Sequence, residues 1–189
     1  MRQRRTPHLA WLAVCAVATG CGNGETGARQ VLPTTRPVAE IVAIADDTKF
    51  AIAMSDLVFA REATAGYEQL TPAERVVFCL DQLEREVNNG GFAQFFENSS
   101  GDHAMDTIEA LRVLGAPTMA ALVAEAVSVF PQGWPATDRE DRQRQLAALD
   151  TQARATLDRL DEAFFAYPEN LAALERRYVR AHQDQFRTP

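Results

Sequence analysis

The residues best suited to chemistry lie in one stretch, VNNGGFAQFFENSSGDH at positions 87–103, which gathers amides, glycines, aromatics and a histidine. A Ser-His-Asp type of site needs a histidine beside an activated serine or cysteine. Apart from His8 near the N-terminus, the chain offers only His103 and His182, and it contains no G-x-S-x-G turn. Zinc needs three or four converging ligands, and neither H-E-x-x-H nor a paired C-x-x-C occurs. Asp102 and His103 are adjacent and leave a helix in different directions; Glu84 and Glu86, two apart, also diverge. Gly90-Gly91 lacks the strand, spacing and basic residue of a phosphate loop. The residues therefore nominate no catalytic group, no metal ligand and no cofactor. One remote alternative stays open, a metal-assisted hydrolase built from carboxylates of separate helices.

A structural account covers the same stretch. Gly90 and Gly91 end a helix, Phe92, Phe95 and Phe96 enter the core, and Asn98-Ser99-Ser100-Gly101 makes a turn from which Ser100 or Asp102 caps the next helix. Asn88, Asn89, Gln94 and Asn98 carry amides that donate and accept, which suits fastening loop backbone as well as binding a peptide. Candidate partner contacts are Glu84, Glu86, Glu97, Asp102 and Asp106 with the amides of Asn88, Asn89 and Asn98.

The elements that must position these residues are helical. A first apolar region runs over 38–65. Thr71-Pro72-Ala73-Glu74 then forms a capping box, and Val76, Leu80, Leu83 and Val87 follow as one stripe. Further helices carry Met105 to Leu114, and Met119 to Phe130 before Pro131. Asp138 caps a long helix reaching Phe164, and Pro168 opens the last one, with Leu171, Leu174 and Tyr178. No segment alternates like a strand. The expectation is an all-α domain over 38–189, a single compact bundle of about six to seven helices.

The N-terminus reads as an address. Arg2, Arg4 and Arg5 precede an apolar run over 9–19, then Ala18-Thr19-Gly20-Cys21, the order of a bacterial lipoprotein signal peptide over 1–20. An eleven-residue run is too short to cross a hydrocarbon core of about 30 Å. Cleavage before Cys21 leaves that cysteine as the lipid anchor, followed by a Gly-, Thr- and Pro-rich tether to residue 37. Gly22 carries no signal for inner-membrane retention, so the expected place is the outer membrane, facing the periplasm. Cys15 leaves with the signal and Cys79 has no partner, which excludes an intrachain disulfide. Cys79, within Val76-Val77-Phe78-Cys79-Leu80, reads as a small buried hydrophobe.

The whole chain has a net charge of −7, and loss of three arginines with the signal leaves −10. Direct nucleic-acid binding is unfavourable with that balance, whereas a protein partner is not. The acids are unevenly spread. Residues 74–112 hold eight acids against three bases, whereas residues 138–189 hold ten against nine.

The run V-N-N-G-G-F-x-Q-F-F-x-N-S-S-G-D from Val87 to Asp102 resembles the signature of the bacterial DNA-mimic protein family and its associated domain of unknown function. Similar pieces are Ala110-Leu111 to Gly115-Ala116, Phe130-Pro131, and Leu160-Asp161-Glu162 to Tyr167-Pro168, so the resemblance covers about 70–180. It implies a helical fold and a non-enzymatic role, an acidic surface that imitates DNA phosphates and occupies a DNA-binding protein. An anchored chain outside the cytoplasm does not meet transcription factors. The function expected is therefore binding of an envelope protein or peptide without catalysis, with a DNA mimic or an immunity-type inhibitor as alternatives.

Overall fold

The computed structural model describes residues 36–189, so the expected signal peptide, the expected anchor Cys21 and most of the expected tether lie outside the described residues. Eight α-helices follow one another without a strand among the described residues: α1 Val38–Val42, α2 Asp47–Ala65, α3 Pro72–Glu97, α4 Ala104–Leu114, α5 Pro117–Ser128, α6 Arg139–Ala147, α7 Thr151–Phe165 and α8 Leu171–Ala181. The all-α expectation holds, and the bundle has one helix more than the upper end of the expected range. Helix α3 is central and packs against α2, α4, α6 and α7. Its start is the expected capping box: Thr71 Oγ1 accepts the Glu74 amide at 3.2 Å and Glu74 Oε2 accepts the Thr71 amide at 2.9 Å. The Glu74 carboxyl is buried, and its second oxygen accepts the Arg187 amide at 2.8 Å, tying the C-terminal segment to α3.

Several boundaries differ from the sequence reading, each because a side chain supplies a local cap. The first region splits where Asp46 accepts the Lys49 amide at 2.8 Å and begins α2. Asp138 caps α6 as expected, but the helix does not run on to Phe164. It ends at Ala147, and Asp150 starts α7 by accepting the Ala153 amide at 2.8 Å. Leu146 and Leu157 keep a helical spacing across this break, which conceals it in the apolar pattern. Pro168 does not open the last helix; Asn170 does, accepting the Ala173 amide at 3.0 Å.

Candidate functional site

Gly90 and Gly91 kink α3 rather than ending it. Gly91 adopts φ 74°, after which a second, short helical segment carries Phe92, Phe95 and Phe96 fully into the core. The new segment needs its own cap, and α7 provides one: Asp161 Oδ1 accepts the Phe92 amide at 2.7 Å. Burial raises the pKa of the Asp161 carboxyl, and the Phe92 amide works in the opposite direction. The loop after α7 supplies a second cap, because Glu169 accepts the amides of Thr118 and Met119 at 2.7 and 2.9 Å at the start of α5. These amide bonds outweigh burial and hold the Glu169 carboxyl below its usual range.

The NSSGD segment forms a 3-10 turn, Ser99–His103, in which neither Ser100 nor Asp102 caps α4. Ser100 Oγ instead donates to the Phe95 carbonyl at 2.7 Å, and Ser99 is exposed. Asp102 turns to Arg142, which is 0% exposed. The Arg142 guanidinium donates to the carbonyls of Phe96 at 2.7 Å, Ala136 at 2.9 Å, Thr137 at 3.1 Å and Asn98 at 3.0 Å, as well as to Asp102. A side chain at Gly101 would crowd Arg142 Nε and the Phe96 carbonyl. Phe96, Asn98 and Asp102 are thus all held by one buried cation.

The other predicted contact residues fall into separate places. Glu84 is partly buried near Tyr167, Glu175 and Asp81; burial first, and then the Asp81 charge, pushes its carboxyl up to about 7 against the opposing Tyr167 hydrogen bond. Asn88 donates at 2.7 Å to both the Glu84 carbonyl and the Tyr167 hydroxyl. Glu86 accepts the amides of Gln94 at 2.8 Å and Asn98 at 2.7 Å, and Arg139 reaches Asn98 Oδ1 at 3.3 Å. The carbonyl of exposed Glu97 is held by Arg139 and Gln143, and Asn89 is exposed. These residues do not form one surface. Most of their polar atoms are engaged with the chain's own donors and acceptors.

Asp106 lies elsewhere, in an open groove of about 480 Å3. Helix α3 lines it with Pro72, Arg75, Val76 and Cys79, and α4 with Asp106, Glu109, Ala110 and Val113. Both sets follow the i, i+3, i+4, i+7 spacing of a single helix face. Tyr67, Leu70 and Tyr178 of α8 complete the lining. The Tyr67 hydroxyl donates to Asp106 Oδ2 at 2.7 Å and sits 3.5 Å from Cys79 Sγ. Its ring stacks on His103 with centroids 3.8 Å apart, and the Arg75 guanidinium lies over the Tyr67 ring at 4.9 Å from its centroid.

Burial raises the Tyr67 phenol and pushes the Cys79 thiol up to about 11, so neither is an activated nucleophile near neutral pH. Burial also lowers His103, against the pull of Asp102 and Asp106. His103 Nδ1 is 4.0 Å from Asp106, but a neutral ring does not neutralise that carboxylate. Arg75 is committed to Glu68 at 3.2 Å and to the Leu70 and Glu68 carbonyls, and Arg112 to Glu109 at 3.5 Å. Among the described residues, no arginine or lysine pairs with Asp106, which is 57% exposed. Sequence reasoning selected Asp106 but missed the groove, because Pro72 reads as part of the capping box, Val76 as part of the core stripe and Cys79 as a buried hydrophobe, and nothing local in the sequence shows that their face stays open beside α4.

No curated protein and no solved structure matches the chain. The family model described as DMP19-like protein matches residues 68–182, well over half of the chain and including both groove-lining helix faces; the chain belongs to the DMP19-like protein family.

Proposed function

We propose that this chain is a non-catalytic, lipid-anchored envelope protein that binds a protein or peptide partner. The observation that carries the reading is the open groove with its unpaired Asp106, in a fold whose other selected polar groups are largely engaged in holding the 84–102 segment together. The raised Cys79 thiol and the His103 ring stacked on Tyr67 favour a structural use of the two groups that could have served as nucleophile and base. Anchoring through Cys21 rests on the order of charge, apolar run, small residues and cysteine at the N-terminus.

Family membership favours a second reading, an acidic mimic of DNA that occupies a DNA-binding protein. The distribution of charge supports it less well. Of the eight acids between 74 and 112, Glu74 is buried and Asp81, Glu84 and Glu86 are partly buried. Many exposed acids are paired with arginines, as in Glu68–Arg75, Glu109–Arg112, Glu125–Arg159 and Glu140–Arg144. Alternating pairs make a poor copy of a continuous phosphate array.

Fractionation of the native protein beside Cys21→Ala, with mass analysis of the N-terminus and crosslinking of each fraction, separates the two. The envelope reading expects an acylated Cys21, a membrane-bound wild type and a protein adduct in the membrane fraction. A cytoplasmic chain with residues 1–20 intact, captured by a DNA-binding protein in a strongly salt-dependent way, would establish the mimic instead.

A further inference from the structure

The groove between α3 and α4 has features that specify what fits it. Its walls are apolar, with Leu70, Val76 and Ala110 buried and Val113, at 51% exposed, offering its methyl groups to an incoming side chain. A volume of about 480 Å3 is large enough for a few side chains but small for a folded domain surface. The charge at the rim is one-sided. Arg75 is held against Glu68, Arg112 against Glu109, and Asp106 keeps a free carboxylate oxygen while its other oxygen takes the Tyr67 hydroxyl. An unpaired carboxylate beside an apolar slot complements a cation carried next to an apolar side chain.

We infer that this groove is the docking site for a partner segment that inserts an apolar side chain between Val76 and Val113 and sets a lysine or arginine on Asp106. The inference rests on the binding function proposed above and gives it an address and a partner chemistry. Tyr67 orients the Asp106 carboxylate, and the ring stack of Tyr67 on His103 keeps that phenol in place. The acidic residues 84–102 then contribute to the fold, and the recognised charge is a single carboxylate rather than an array.

The test uses the full mature chain and two fluorescein-labelled hexapeptides, Gly-Lys-Phe-Leu-Lys-Gly and the same peptide with glutamate for both lysines. Fluorescence anisotropy is followed against protein concentration at two salt concentrations. Val113→Arg blocks the slot from an exposed position, and Asp106→Asn keeps an acceptor for Tyr67 while removing the charge. The expected results are saturable binding of the lysine peptide alone, weakening by about tenfold or more in each variant, and a reduced salt dependence in Asp106→Asn.

Equal binding of the glutamate peptide, unchanged binding by both variants, or no binding of the lysine peptide overturns the inference. Sedimentation of the wild type beside Val113→Arg tests the other occupant. A dimer lost in the variant assigns the groove to a second copy of this chain and also overturns it. Cellular crosslinking separates this failure from that of the broader reading: a membrane adduct that persists in Val113→Arg leaves the binding function standing and removes only the groove.

Discussion

Gly91 and Asp161 interlock: the glycine lies at φ 74° with no room for a side chain, and the Asp161 carboxylate fills that space to accept the Phe92 amide at 2.7 Å. A Cβ at position 91 would collide with that carboxylate. The two residues, 70 positions apart in the chain, together allow α3 to turn and restart with its phenylalanines in the core.

Gly91→Ala combines left-handed strain with a clash and is expected to cost about 2–4 kcal/mol. Gly90→Ala should cost less, because Gly90 has φ −159° and the atoms nearest its new methyl group all belong to the Gln94 side chain, which can move. Asp161→Ala should lose about 1–2 kcal/mol with the cap. Urea unfolding of the three variants checks the order, and equal costs at positions 90 and 91 would contradict this account of the kink.

Arg142→Met is expected to destabilise by about 3–5 kcal/mol, since it leaves buried carbonyls without donors and Asp102 without its cation. Arg142→Lys should recover little, because an ammonium cannot reach carbonyls spread from Phe96 to Thr137 as the guanidinium does. Denaturant titration of both variants provides the measurement, and near-wild-type stability of the lysine variant would show that the fork geometry is unimportant.

The buried carboxyls of Glu175 and Glu84 should make stability fall as pH rises from about 4.5, the ordinary glutamate value, to about 8. Glu175 of α8 is 5% exposed, and burial, followed by the charges of Glu84 and Asp81, pushes its carboxyl up to about 8; Glu84 is pushed up to about 7. Both are raised above their values in the unfolded chain, so the folded state holds more protons and its advantage is lost as pH rises through the folded values. His103 acts in the opposite sense, since its lowered pKa removes stability as pH falls through and below about 6.5. Melting temperature against pH should therefore decline most clearly between about 6.5, above which His103 no longer opposes the loss, and about 8, and level off beyond. Glu175→Gln should flatten the decline, and an unchanged slope in that variant would remove the buried carboxylates as its cause.

Much of the fold was legible because its signals are local. Thr71 with Glu74, and Asp138, mark helix starts through side chains three residues or fewer from the amides they serve. The break at Ala147 was hidden because apolar spacing continues through it, although Asp150-Thr151 could have marked a new cap. Arg142 was not legible. An arginine in a charged stretch reads as exposed, and nothing near it in sequence announces the carbonyls of residues 96 and 98. The roles of Asp102 and Glu86 were hidden for the same reason, because their partners fold back from a distance. Phe92, Phe95 and Phe96 needed no such information, since large aromatics at helical spacing usually bury.

The most direct test of the central claim places a photo-crosslinking amino acid at position 113 of the full chain in cells, with the exposed position 140 on α6 as control. The binding account predicts a discrete protein adduct from position 113 in the membrane fraction, absent from position 140 and lost when Asp106→Asn is combined with it. Adducts of equal pattern from both positions, or none from position 113, would contradict it.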